Sequence, residues 1–263
     1  MFLWRAEVQP GVSVAFTDTN AGNLALHVGD DAAAVLRRRA QLEHAAGVAP
    51  RTFQYMNQVH GNEVSLVVES RTAAESGTVA ESGAAAESGT VAESGAAAES
   101  GACVPQAPTA DALVSLGGPL AVMVADCIPL VLVGAGASGP VLAAVHAGRP
   151  GLFSGVIPAA VEQMRASGAE DIRAWLGPSV CGNCYEVPAE LRDEVAALLP
   201  ATWSTTTWGT PALDLPGGAA SQLDALGVPI EYRGPCTLEN ESLFSYRRDS
   251  RSGRFAGLVW THD

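Results

Sequence analysis

The longest apolar stretch of the chain, residues 119–145, is broken by Asp126, by Pro129 and by the small-residue run Gly134-Ala135-Gly136-Ala137-Ser138-Gly139. A membrane helix needs about 20 uninterrupted apolar residues, so the stretch predicts no membrane span. It reads instead as two Val-rich neighbouring buried strands, 120–133 and 140–145, separated by the glycine-rich turn. With 263 residues, 48% of them hydrophobic and 16% charged, the chain can bury a sizeable core around such strands.

Residues 32–46 carry Val35, Leu36, Leu42 and Ala45 at helical spacing, with Arg37, Arg38 and Arg39 between them and Gly47 as the stop. Further helices are expected at 154–166, at 188–199 and, in part, at 214–226; strands are expected at 63–68, 110–115, 172–176 and 255–260. Strands and helices alternate irregularly, which predicts a mixed α/β or α+β domain.

One segment stands apart. From 72 to 102, Glu-Ser-Gly recurs every six residues, starting at Glu75, Glu81, Glu87, Glu93 and Glu99. A parallel β-helix needs stacked branched apolar residues, and here only Val79 and Val91 exceed Ala in size, so a surface insertion is expected. Loops tolerate long insertions at a logarithmic entropy cost. One domain spanning 1–263, with a lengthened connection between two strands, is therefore the expected organisation.

Charge narrows the partners. The chain has 15 Arg, no Lys and 28 acidic residues, for a net charge of −13, which argues against a sequence-independent grip on a phosphate backbone. Nucleic acid is not an expected partner. The start, Met1-Phe2-Leu3-Trp4-Arg5-Ala6-Glu7, shows neither an export signal nor a lipidation motif, so a cytoplasmic location is expected. The five cysteines are few and odd in number, so they are expected as thiols: ligands, nucleophiles or core residues.

Three segments end an apolar strand with a ligand-type residue beside glycine or proline: Gln58-Val59-His60-Gly61, Ala125-Asp126-Cys127-Ile128-Pro129 and Ala144-Val145-His146-Ala147-Gly148. A sheet fixes such residues while the following turn leaves them accessible. One Cys and two His suit Zn²⁺, with a fourth tetrahedral position left for water or substrate. The same residues also allow a thiol nucleophile, Cys127, activated by His146 or His60, and the sequence leaves both chemistries open. Asp126, following five apolar residues, needs a partner or a cation if buried. The pair Cys181-Gly182-Asn183-Cys184 has the spacing of a zinc knuckle or redox motif. It lies in a loop after a strand with no second such pair, so neither a zinc site nor a redox site is expected there. Arg247, Arg248, Arg251 and Arg254, beside Ser242, Ser245 and Tyr246, form a guanidinium cluster able to fork onto carboxylate or phosphate.

An ordered set of motifs resembles the YfiH/YlmD family, long labelled the multicopper polyphenol oxidase or laccase-domain family. The set is Asn23-Leu24-Ala25-Leu26-His27-Val28-Gly29-Asp30-Asp31, the three segments above, Ala110-Asp111-Ala112-Leu113-Val114, Gly177-Pro178, Cys184-Tyr185-Glu186-Val187 and Phe244-Ser245-Tyr246-Arg247-Arg248-Asp249. The resemblance covers nearly all of the chain outside the repeat. It implies a single mixed-sheet α/β domain of the cytotoxic-necrotizing-factor-like cysteine hydrolase type, and zinc held by His60, Cys127 and His146, with copper the second choice of metal.

The implied activity is purine nucleoside phosphorylase, on adenosine, inosine, guanosine and methylthioadenosine with orthophosphate, with adenosine deaminase as a side reaction. The alternatives are a peptidoglycan editing factor acting on a muramyl-peptide precursor, and a metal-independent Cys-His amidase. Polyphenol oxidation is disfavoured, because blue-copper oxidases need many His ligands and this chain has five His in all. The expected catalytic group is Cys127, His60, His146 and Asp126, the last for proton transfer or support of the Cys. Arg247, Arg248, Arg149 and Gln58 are the expected substrate contacts. The family usually reads His-Ala-Gly-Trp-Arg-Gly where this chain has His146-Ala147-Gly148-Arg149-Pro150-Gly151, so the guanidinium is displaced by one position and the Trp is missing. Of the Cys-Cys pair that many members carry before the Tyr, only Cys184 keeps the register.

Overall fold

A computed structural model describes residues 1–67 and 107–262; the repeat at 72–102 lies outside these residues. The chain opens with a hairpin of β1 (Phe2–Gln9) and β2 (Val12–Thr17), turned at Gly11, whose φ of 72° suits glycine. Helix α1 (Ala32–Ala46) follows, with Asp31 accepting the Ala34 N–H at its start and Gly47 in the left-handed conformation at its end. Next come β3 (Val64–Val67), β4 (Ala112–Ser115), β5 (Leu120–Val124), β6 (Ile128–Ala135) and β7 (Val141–Ala147). Then follow α2 (Arg149–Ser154), α3 (Val156–Ala166), β8 (Glu170–Leu176) and α4 (Ala189–Leu198). The short strands β9 (Trp203–Thr205) and β10 (Pro211–Leu213), helix α5 (Leu215–Ala225), β11 (Ile230–Arg233) and β12 (Phe255–Thr261) complete the order.

Two sheets carry the fold. One is antiparallel, in the order β1-β2-β12-β5; the other is mixed, in the order β11-β8-β6-β7-β4-β3, with its outer pairs parallel. Side chains alternate across each strand, so each sheet offers two apolar faces. Val14, Phe16, Leu120, Val122 and Val124 of the first meet Leu113, Val131, Leu142, Ala144 and Trp175 of the second in a core between the sheets. The outer face of the six-stranded sheet, with Val114, Leu130, Leu132, Ala143 and Val145, is covered by Ile157, Val161 and Met164 of α3 and by Leu215, Ala219 and Leu223 of α5. Leu42 and Ala46 of α1 cover Ala121, Met123, Leu258 and Trp260 on the outer face of the four-stranded sheet. The result is a helix–sheet–sheet–helix layering of the mixed α/β class.

Three local expectations are corrected. Residues 120–133 are not one strand but two in different sheets, because Asp126 at φ 85° turns the chain from β5 into β6. The helix expected from about 154 to 166 is α3, starting two residues later at Val156 because Gly155 at φ 87° closes α2. On α1, Leu36 is 55% exposed and Ala45 faces solvent; the inward stripe is Val35, Leu42 and Ala46, with Arg39 laid over the Tyr55 ring at 3.7 Å. No helix among the described residues is long and apolar enough to cross a membrane.

Candidate functional site

The turn between β5 and β6 passes from one sheet to the other, and Cys127 stands at that crossing. His146 reaches the same place from the end of β7, which pairs with β6 through Pro129 opposite His146. His60 arrives from the loop before β3, held in the left-handed region at φ 62°. The ligand atoms of His60, Cys127 and His146 lie within 4.8 Å of one another. The two imidazole rings meet edge to face with centroids 4.6 Å apart, and the Cys127 Sγ is 3.9 Å from His60 Nε2.

Asp111, fully buried at the head of β4, builds the arrangement. Its carboxylate accepts the backbone N–H groups of Val59 (3.3 Å), His60 (2.9 Å) and Gly61 (2.6 Å), which fixes the strained His60 turn. The same carboxylate holds His146 Nδ1 at 2.7 Å, so the other ring nitrogen, Nε2, faces Cys127 and His60. Burial would raise the Asp111 carboxyl, but the bonds from His146, Gly61 and His60 outweigh it and keep it below the usual carboxylate range. The sequence reading missed Asp111 as a site residue. Its signal, a carboxylate at the entry of an apolar strand, mirrors the one at a strand's exit that singled out Asp126.

Burial alone would raise the Cys127 thiol, yet His146 and His60 pull it down to about 6. Burial would likewise lower His146, but Cys127 and Asp111 push it up to about 9. Without a cation, the proton therefore sits on the imidazole and the negative charge on sulfur. Gly148 keeps the space beside the trio open: a Cβ there would stand 2.9 Å from His60 Cδ2, 3.0 Å from Cys127 Sγ and 3.5 Å from His146 Nε2.

A cavity of about 590 Å³ opens over the trio. Its wall includes Gln58 and Asp126, and also Tyr185, Tyr246, Arg254 and His27. Both Asp126 oxygens are engaged, one accepting the Thr237 hydroxyl at 2.6 Å and the other the Arg247 N–H at 2.7 Å, so Asp126 ties three loops together. Gln58 pairs both ends of its amide with the Met123 backbone, at 2.7 and 3.0 Å.

The expected arginines separate. Arg247 lines the cavity, its guanidinium 4.5 Å over the Tyr185 ring and bonded to Glu186 O at 2.8 Å. Arg248 is turned away, its guanidinium spent on the backbone carbonyls of Thr237, Leu238, Asn240 and Leu243. Arg149, in the first turn of α2, does not line the cavity either. Arg254, just before β12, does line the cavity, with one guanidinium nitrogen bonded to Ser252 O at 2.7 Å and Gly253 O at 3.1 Å.

A family model described as multi-copper polyphenol oxidoreductase laccase matches residues 5–262. The chain belongs to this family. Within the family it is 44% identical to a purine nucleoside phosphorylase of Streptomyces griseus, over 97% of this chain and 96% of the relative. It is 43% identical to a purine nucleoside phosphorylase of Mycobacterium tuberculosis, over 95% of this chain and 88% of the relative. The fold is similar to that of YlmD from Geobacillus stearothermophilus, with a TM-score of 0.76, 25% identity and full coverage of both chains. The YfiH/YlmD resemblance of the motifs thus extends over the whole fold.

Proposed function

We propose that this family member is a zinc-dependent purine nucleoside phosphorylase, with adenosine deamination as a side reaction. The observation that carries the reading is the cavity, which combines the Cys-His-His trio with two guanidinium groups and two tyrosine rings. Its volume of about 590 Å³ suits a small-molecule site.

His60, Cys127 and His146 fit zinc: one sulfur and two nitrogens converge, Asp111 orients His146, and Gly148 leaves room that any side chain would fill. Bound there with a fourth position open, zinc would supply a Lewis acid to the cavity. The donor set does not suit a multicopper oxidase, which needs several His-rich centres; the only other candidate ligand group among the described residues contains no His.

In phosphorolysis, an orthophosphate oxygen attacks ribose C1′ and the bond from C1′ to the purine nitrogen breaks. Its electron pair leaves on the base, which takes up a proton, and ribose 1-phosphate remains. Arg247 and Arg254 hold the phosphate and offset its charge as it approaches the sugar. The Tyr185 and Tyr246 rings offer apolar faces for the base. His27, lowered by burial and by Arg254 and Arg39, is neutral near pH 7 and presents one donor and one acceptor to a purine edge. In deamination, water adds at purine C6 and ammonia leaves.

The test is turnover of adenosine and inosine with and without orthophosphate, resolving free base, ribose 1-phosphate and inosine by chromatography, with metal analysis alongside. Phosphate-dependent release of base with about one zinc in the trio is expected. Absence of turnover on nucleosides, with turnover of a muramyl-peptide nucleotide, refutes it in favour of the cell-wall reading. One observation favours a second reading, a metal-independent Cys-His amidase: the Cys127 thiol at about 6, His146 and Asp111 form a nucleophile–base–orienting set. Such an enzyme would survive chelation and die on thiol alkylation.

A further inference from the structure

The Cys181-Gly182-Asn183-Cys184 pair lacks a second pair in sequence, but the fold supplies the rest of a ligand set. Strands β8 and β11 run parallel, and the loops that leave them stay paired. Ser179 forms an isolated bridge with Cys236, its N–H bonded to Pro235 O at 3.3 Å while the Thr237 N–H returns to Ser179 O at 3.1 Å. That pairing sets Cys236 against the Cys-x-x-Cys turn, where the Cys181 N–H points at Cys236 Sγ at 3.4 Å. The turn is tight, with the N–H groups of Cys184 and Tyr185 both on Cys181 O at 3.0 Å. Glu239 completes the group, its Oε1 lying 3.4 Å from Cys184 Sγ. The three sulfurs and a Glu239 carboxylate oxygen all lie within 4.8 Å of one another.

We propose that Cys181, Cys184, Cys236 and Glu239 form a second, closed metal site that holds one zinc ion. Thiolates select zinc, copper(I) or iron–sulfur clusters, and a carboxylate among them favours zinc. A disulfide between any two of the sulfurs would leave the third thiol beside a carboxylate with nothing in common to bind, whereas a tetrahedral ion uses all four groups. Four protein ligands leave no open position, so the ion is structural.

What it clips together is the cavity wall. Tyr185 and Glu186, directly after Cys184, support Arg247 through its ring contact and its bond to Glu186 O. Thr237, directly after Cys236, donates to Asp126 beside Cys127. Both arms of the clip thus run straight into groups that shape the cavity, while none of its four ligands lines it.

The inference does not depend on what the cavity does, so it is tested with the first trio disabled. In the full-length His60→Ala, Cys127→Ser double variant, about one zinc per chain should remain after gel filtration. Cobalt(II) substitution of that variant should show thiolate-to-cobalt charge-transfer absorption with tetrahedral ligand-field bands. Adding Cys236→Ser should abolish both. Should that triple variant fail to fold, Glu239→Gln, changed on the exposed side, should keep the fold and weaken zinc binding about tenfold or more in a chelator competition. A natively folded double variant with no zinc and no charge-transfer band overturns the proposal. So does a disulfide among the three cysteines in protein purified without air, or a Glu239→Gln variant with unchanged zinc affinity.

Discussion

Asp111→Asn isolates the group that assembles the Cys-His-His trio. The side chain keeps its size but exchanges one acceptor oxygen for an NH₂ donor, in a position with no solvent access. The native carboxylate faces four donors, His146 Nδ1 and the backbone N–H groups of Val59, His60 and Gly61. Each oxygen serves two of these donors, so whichever way the amide turns its NH₂ meets two of them donor to donor. Losing a charge-assisted bond costs about 1.5–3 kcal/mol and a buried unpaired donor about 1–3, so a loss near 3 kcal/mol of folding stability is expected. His146 also loses the partner that sets its tautomer, which predicts zinc binding about 10–100-fold weaker.

The sign of the pH dependence follows from Asp111 being held below its ordinary value. Its contribution is present above the unfolded carboxylate range and is lost as pH falls through the folded value. The gap between wild type and variant should therefore close in acid. Urea unfolding of the metal-free proteins across pH, with a chelator competition at neutral pH, measures both effects. A variant within about 0.5 kcal/mol of wild type that also retains full zinc affinity would refute the reasoning.

In metal-free protein, thiolate absorbance of Cys127 should appear with a midpoint near pH 6, and His146→Gln should move it up toward the ordinary thiol range. The thiol, held below its ordinary value of 9.0, contributes fully above that value and loses its contribution as pH falls through about 6; the imidazole, held above its ordinary 6.5, contributes fully below that value and loses its contribution as pH rises through about 9, so between those limits one grows as the other fades. Gly148→Ala, at a backbone conformation open to Ala (φ −74°, ψ 170°), should crowd the trio by about 1–3 kcal/mol. Metal analysis should then show loss of zinc from the trio while circular dichroism stays native. Arg247→Ala should raise KM for phosphate about tenfold with little change in Tm. Arg248→Ala should lower stability by about 1–2 kcal/mol, through the carbonyls it leaves unpaired, with KM unchanged. The opposite pattern in steady-state kinetics and melting curves would exchange their roles.

Much of this was legible in one dimension. Helix α1 spans the residues its apolar spacing marked and ends where Gly47 says it should, because a left-handed glycine closing the last turn is local chemistry. Buried strands were recognisable from Val-rich runs, and His60, Cys127 and His146 from a shared local pattern of apolar strand, ligand residue and tight turn. The order of the motifs was enough to place the chain in its family.

Only the tertiary structure decided which distant groups meet. A left-handed residue at Asp126 separates one apolar run into strands of two sheets, and no periodicity reports which sheet a strand will join. Adjacent arginines took opposite fates because the course of their loop, held by Asp126, turns Arg247 to the cavity and Arg248 to the carbonyls of its own loop. Cys236 and Glu239 reach the Cys-x-x-Cys turn only because β8 and β11 are neighbours in the six-stranded sheet. Local propensity is written in spacings of a few residues, whereas a site is written in contacts between segments, and those exist only once the sheets have chosen their order.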